Sequence, residues 1–206
     1  MAVATFNDAD RRRLTDAIRM AEADTSGEIY VVVAREADEF RLVPVLWAAI
    51  IALIVPWILH FLTYWPAGTI LLVQVLTFVV IALVGSHAAL RHRIVPASIA
   101  ADATRKAALA QFMAHGVHLT ENRTGVLIFV ALADRRVEIV ADAGIDSKVD
   151  QSAWNELAQE VVMAAQGGVL ADGLVTVVQR AGMLLAQHCP PAPLDRNELP
   201  DRVVEM

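Results

Sequence analysis

From Leu42 to Ser86 the chain carries no Asp, Glu, Lys or Arg, and all 17 basic and 23 acidic residues fall outside that stretch. A single helix of this length would be about twice what a bilayer needs, since roughly 20 residues at about 1.5 Å rise cross a ~30 Å hydrocarbon layer. Two spans of about 43–63 and 69–86, joined through "TYWPAG" (Thr63–Gly68), fit it. A buried pair of helices in a soluble protein rarely runs so long without a charge. The segment therefore reads as a transmembrane hairpin, and the chain as an integral membrane protein. Trp57, Tyr64 and Trp65 lie toward the turn and Trp47 near the opposite end, where amphipathic rings favour the headgroup region. Pro44 falls in a first helical turn, and Pro56 is expected to kink the first span. A charged, amphipathic segment precedes the hairpin, which is unlike a cleaved signal peptide.

The flanks set the expected orientation. Arg35 and Arg41 precede the first span, and Arg91 and Arg93, with His87 and His92, follow the second. The turn has no Lys or Arg, so the positive-inside rule places both termini in the cytoplasm. A net charge of −6 and the lack of a basic run argue against a nucleic-acid partner. One cysteine, Cys189, excludes an intrachain disulfide.

The soluble parts read as helices and buried strands. Asn7 or Asp8 can cap a helix with Leu14, Ala17, Ile18 and Ala21 on one face. "EIYVVVA" (Glu28–Ala34) and "TGVLIFVAL" (Thr124–Leu132) are nearly continuous apolar runs, as expected of strands covered on both faces. "RVEIVAD" (Arg136–Asp142) pairs back on the second of these through "ADRR" (Ala133–Arg136). Pro96 opens a helix to about His115, with Ile99, Ala103, Ala107, Ala110 and Met113 expected inward. A helix of about 149–166 and a last one from near Asp172 follow, and the tail 190–206 has too few apolar residues to fold alone. Neither half around the hairpin has enough apolar surface for a domain. The strands at Glu28 and Thr124 are therefore expected in one sheet, joined by a crossover that contains the Pro96 helix. The expected division is residues 1–41 and 91–189 forming one α/β domain, a hairpin over 42–90 inserted in it, and a tail over 190–206.

Taken together, "TSGEIYVVVA" (Thr25–Ala34), "TGVLIFVALADRRVEIVADAGID" (Thr124–Asp146) and "ADGL" (Ala171–Leu174) resemble the TPM domain. That family includes a thylakoid lumen protein involved in photosystem II repair and many bacterial membrane proteins. The hairpin is similar to that of a bacterial two-span subgroup with no assigned activity, which implies a bacterial inner membrane. The resemblance implies a compact α/β fold with a small mixed sheet flanked by helices. For some members it also implies an acidic pocket proposed to bind calcium and a weak phosphatase activity. By position, Asp134 and Arg135 match the family's "DR" turn, Gly144 the second of two glycines, and Asp146 the acid after it. Asp142 stands where the first glycine is expected.

Two sets of side chains are candidates for function. Asp142, Asp146 and Asp172, with Asp134 or Glu28, would form a metal site for Ca²⁺ or Mg²⁺ if they converged at one end of the sheet, since such cations take about six to eight oxygens. A bound cation would polarise a phosphoryl oxygen and activate water. Each acid also has a structural reading: Asp134 as a turn former, Asp146 or Ser147 as the cap of the next helix, and Asp172 as the cap of the last. No EF-hand spacing, paired "DxD" or nucleophile accompanies them. His60 and Gln74 stand at equal distance from the hairpin turn, so a hydrogen bond between them would tie the two spans. A proton relay through them would need oligomerisation. Cys189 has no basic neighbour in sequence and reads as inert.

These residues carry folding signals in full and no catalytic constellation. The expectation is a membrane-anchored module that binds the lipid bilayer and either another membrane protein or further copies of itself. A divalent-cation-dependent phosphatase and an oligomeric channel or transporter subunit are the alternatives.

Overall fold

A computed structural model of the chain describes residues 6–191 and 198–206; residues 192–197 of the expected tail lie outside the described residues. It divides into two compact units, one of residues up to Ala37 and from Ala101 onward, the other of Asp38–Ala100.

The first unit is a four-stranded mixed sheet between helices. Its strands are β1 (Glu28–Ala34), β2 (Gly125–Ala131), β3 (Arg136–Ala141) and β4 (Val203–Glu205), in the order β3-β2-β1-β4. β1 runs parallel to both β2 and β4, while β2 and β3 form an antiparallel pair. All seven residues of β1 and of β2 are buried, which is why their sequences read as unbroken apolar runs. Side chains alternate across the pleat. Ile29, Val31, Val33, Val126, Ile128 and Val130 share one core with α1 (Asp8–Glu22), α7 (Gln151–Gln166) and α8 (Leu170–His188). Tyr30, Val32, Ala34, Leu127, Phe129 and Ala131 share the other with Ala108 and Phe112 of α5 (Ala97–Ala114). The expected single sheet is formed, with the strands on either side of the hairpin as direct neighbours.

Local signals explain most of the boundaries. Asn7 Oδ1 accepts the Asp10 N–H at 2.8 Å and caps α1. Gly116 has a φ of 71° and follows α5, where a left-handed residue closes a helix. Three expectations are corrected. The inward stripe of α5 is Ala100, Thr104, Ala108 and Phe112, while Ile99 and Met113 are exposed. Alanine-rich sequence offers two stripes one residue apart, and the large Phe112 ring decides which one meets the sheet. α7 is capped by Asp150, whose carboxylate accepts the Ser152 N–H at 2.8 Å, and α8 begins at Leu170 with no side-chain cap. The end of the tail supplies β4, because the outer edge of β1 presents backbone groups that need partners.

The second unit contains α2 (Leu42–Leu62), α3 (Ala67–Gly85) and the short α4 (Ala88–Ile94). α2 continues as a helix through Pro56. The two long helices pack through small residues: Ala48 and Ala52, one turn apart, and Ile70 are buried. A Cβ on Gly85 would lie 3.1 Å from the Pro44 side chain, so the glycine sets the approach at that end. Most other apolar residues of this unit are exposed, with Phe61, Leu62 and Leu83 at 77%, 77% and 70%.

Candidate functional site

Three of the four aspartates singled out in the sequence are each held by a separate side-chain interaction. Asp134 lies in the turn after β2, where its Oδ2 accepts the Ala37 N–H at 2.7 Å and ties that turn to the segment after β1. Arg135 beside it has a φ of 53°, as a tight turn needs at this point. Asp142 stands at the other end of the sheet, about 20 Å away across the six residues of β3 at roughly 3.3 Å per residue. It is buried, and its Oδ1 accepts the Ala143 N–H at 2.6 Å and the Arg123 Nε–H at 3.1 Å. Its Oδ2 is also buried and makes no hydrogen bond within the protein. Asp146 is exposed in the short helix α6 (Ala143–Asp146) that Asp142 begins. Asp172, in the first turn of α8, pairs with Arg13 of α1. Among the described residues, no group of three or more His, Cys, Asp or Glu side chains is arranged to hold a metal ion.

The loop around Asp142 is built on a close backbone approach. A Cβ at Gly144 would fall 2.4 Å from the Asn122 carbonyl oxygen and 2.5 Å from that of Arg123. The Gly144 N–H donates to the Arg123 carbonyl at 2.9 Å. Only glycine fits there, and the same approach brings the Arg123 guanidinium onto Asp142.

A different set of acids does gather. Glu28, at the start of β1, is buried, and its two carboxylate oxygens accept the N–H groups of Glu198 and Leu199 at 3.0 and 3.3 Å. Glu22, at the end of α1, accepts the Ile29 N–H at 2.7 Å. Burial, followed by the neighbouring carboxylates Glu28 and Asp201, pushes the Glu22 carboxyl up to about 8, against the lowering effect of the Ile29 N–H. Burial raises Glu28 as well, opposed by its two backbone donors. Asp201 accepts the Arg19 Nε–H at 3.2 Å, and Arg11 pairs with Glu205 at 2.8 Å. This acid group fastens the end of the chain to β1 and α1. Glu28 was a secondary candidate in the sequence, but Glu22 was missed. Its one signal is position, four residues after the inward-facing Ile18 and so on the edge of the buried stripe of α1.

The remaining candidates are more isolated. His60 is exposed and stands edge-on to Phe61 at 5.4 Å, and no hydrogen bond joins it to Gln74. His115 Nδ1 lies 3.2 Å from the Tyr30 hydroxyl, and burial, then Arg202, lowers the imidazole below its ordinary range. Cys189 is buried, and the structure supplies the basic neighbour that the sequence lacks: Lys148 Nζ lies 3.9 Å from Sγ.

Comparison with known proteins agrees with this architecture. No protein of curated function matches the chain in sequence. In fold it is similar to the NMR structure of the BA42 protein from the psychrophilic bacterium Bizionia argentinensis, with a TM-score of 0.63 and 20% identity, covering 100% of this chain and 99% of that one. α2 and α3 are long and apolar enough to cross a membrane, with a mean hydropathy of 2.6 for each. The sequence model of the TPM domain matches residues 88–184, just under half of the chain.

Proposed function

We propose that the chain is a membrane-anchored TPM-domain protein that acts as a binding or assembly module for another membrane protein, with α2 and α3 spanning the bilayer and the α/β domain on the cytoplasmic side. The observation that carries the binding reading is the outer side of α5. Leu109 and Met113, one turn apart, are exposed, and Leu119 just beyond the helix is 71% exposed. Exposed apolar groups clustered on one element favour a protein partner. The dispersal of Asp134, Asp142, Asp146 and Asp172 supports binding over phosphoryl transfer, because a Ca²⁺ or Mg²⁺ site needs several oxygens at one point. The anchoring reading is supported by the apolar side chains of α2 and α3, which are mostly uncovered by protein. In water that exposure would cost about 25 cal/mol per Å².

The test is site-specific photocrosslinking in membranes of the native host. A photoreactive residue at Leu109 or Met113 should give a discrete adduct with another protein, and the same residue at Met163 of α7 should not. Equal labelling from both helices would end the assignment of α5 as the docking face. The topology is tested separately with a cysteine at Ala67, which should be reached by a membrane-impermeant thiol reagent only from the extracytoplasmic side.

A further inference from the structure

Residues 198–206 of the tail lie along the outer edge of β1 and are held there lightly. β1 pairs with β2 along all seven of its residues but with β4 along only three, Val31–Val33 against Val203–Glu205. Beyond them the Met206 N–H donates to the Val33 carbonyl at 3.0 Å, and the Arg35 N–H to the Met206 carbonyl at 2.9 Å. β4 is half-buried, whereas β1 is covered throughout. The ion pairs of this segment, Arg11 with Glu205 and Arg19 with Asp201, use arginines that are 46% and 67% exposed. Water screens such pairs, so they fasten little.

The buried attachment is a seam of carboxylates from three elements: Glu22 of α1, Glu28 of β1 and Asp201 of the tail. Both Glu28 oxygens accept tail N–H groups, those of Glu198 and Leu199. Glu22 uses one oxygen on the Ile29 N–H, while its Oε2 is buried and makes no hydrogen bond. A proton at that oxygen removes a charge that would otherwise face Glu28 and Asp201 in a site shielded from water. Glu198 adds its charge beside Glu28, and Arg19 offsets Asp201. α8 packs along α1 with its Asp172 and Arg180 paired to Arg13 and Glu160, and with His188 next to Cys189, whose carbonyl accepts the Ser26 N–H. On α5, His115 faces Arg202 of the tail. Burial, then Arg202, lowers that imidazole, so it is already neutral at pH values where a raised carboxyl titrates.

We propose that residues 198–206 are a proton-latched strap, which closes the outer edge of β1 while Glu22 carries a proton and detaches when Glu22 ionises. Detachment lets water reach the Glu22 charge, carries Asp201 away from it, and frees the Val33 carbonyl and the Arg35 N–H. Open edge groups of this kind accept an added strand, so the latch keeps β1 closed to an extended partner segment until it opens. The inference goes beyond the docking role of α5 and does not depend on membrane anchoring. Burial, then the Glu28 and Asp201 charges, raise the Glu22 carboxyl to about 8 against the pull of the Ile29 N–H. The strap is therefore closed below that pH and opens as pH rises through it.

The test is hydrogen exchange of the full chain in detergent micelles at about pH 6.5 and about pH 9, each rate being divided by that of an unstructured peptide at the same pH. Protection of the Arg35 and Met206 amides should fall by roughly tenfold at the higher pH, within the limit of about tenfold per pH unit that one proton allows. The amides of β2 and α7 should keep theirs. E22Q, which copies the protonated carboxyl, should retain strap protection at both pH values. Equal protection of the unaltered chain at the two pH values overturns the proposal. So does the same loss in E22Q, which would place the titrating group elsewhere, or a loss shared by β2 and α7, which would make the event global unfolding. If E22Q leaves β2 unprotected even at the lower pH, the NMR shift of the Glu22 carboxyl carbon in the unaltered chain decides. Its titration should coincide with the loss of strap protection, and a midpoint at the ordinary 4.5 overturns the latch.

Discussion

The sheet unit and the helical hairpin are both rich in Val, Ile, Leu and Ala, yet they dispose of that surface in opposite ways. In the sheet unit Val31, Val32, Leu127 and Ile128 have no solvent exposure. In the hairpin Leu53, Leu71 and Val75 stand 59–65% exposed, and burial is confined to a few positions such as Pro44, Ala48, Ala52 and Ile70. The hydrophobic effect drives the first arrangement. It cannot drive the second, because two helices have too little surface to cover each other. A bilayer would remove the need, and packing would then fall to small residues that let backbones approach. Apolar sequence therefore builds a core in one region and leaves an uncovered surface in the other, which the membrane-anchored reading assigns to lipid.

The comparison can be broken at several points, beginning with the largest effect. Trp154→Ala removes a fully buried ring beneath the sheet and should destabilise the α/β unit by about 3–5 kcal/mol in chemical denaturation of the full chain. Phe61→Ala in the hairpin should leave that transition where it was. Val75→Lys sharpens the question of solvent. Its position is exposed, so in water it should change stability by less than about 0.5 kcal/mol. In a bilayer it should oppose insertion by about 2.5–3.5 kcal/mol, read as the glycosylated or protease-protected fraction of an insertion assay. Gly144→Ala forces a Cβ onto two carbonyl oxygens, and overpacking of this kind costs about 1–3 kcal/mol. The change should lower the denaturation midpoint, with NMR shifts centred on Asn122, Arg123 and Asp142.

The last test reads a slope rather than a midpoint and concerns the acid cluster. Glu22 titrates near 4.5 when the chain is unfolded and near 8 when folded, so between those values the folded chain holds more protons. Its stabilising contribution is fully present below pH 4.5 and is lost as pH rises through 8. The slope for one proton is at most about 1.4 kcal/mol per pH unit. Glu22→Gln should flatten this part of the stability profile measured by urea unfolding. An unchanged slope would place the extra proton elsewhere in the cluster.

How much was legible in the sequence depends on how local the signal is. β1 and β2 were readable because burial on both faces leaves an unbroken apolar run, and β3 because its mixed run follows the turn at Asp134–Arg135 and pairs back on β2. The hairpin was readable because the absence of charge over such a length has few physical explanations. The inward side of α5 was not, since alanines differ too little in size to show which stripe a sheet will accept. The cap expected at Asp146 falls instead on Asp150, and the one expected at Asp172 is not made, for a related reason. Asp146, Asp150 and Asp172 are chemically equivalent caps, and only the position of the first helical turn selects among them.

The candidate acids show the same limit. Sequence supplies carboxylates but not their distances. Asp134 and Asp142 are only eight positions apart, yet they sit at opposite ends of the sheet because a hairpin strand intervenes. Glu22, Glu28 and Asp201, spread over most of the chain, meet because β4 returns to the edge of β1. The sequence by itself determined the apolar hairpin, the two buried strands and the α/β character, since each follows from hydrophobic patterning along a short stretch. Only the tertiary structure decided which acids share a neighbourhood, which face of α5 stays exposed and where the tail ends, because those depend on residues brought together across the fold.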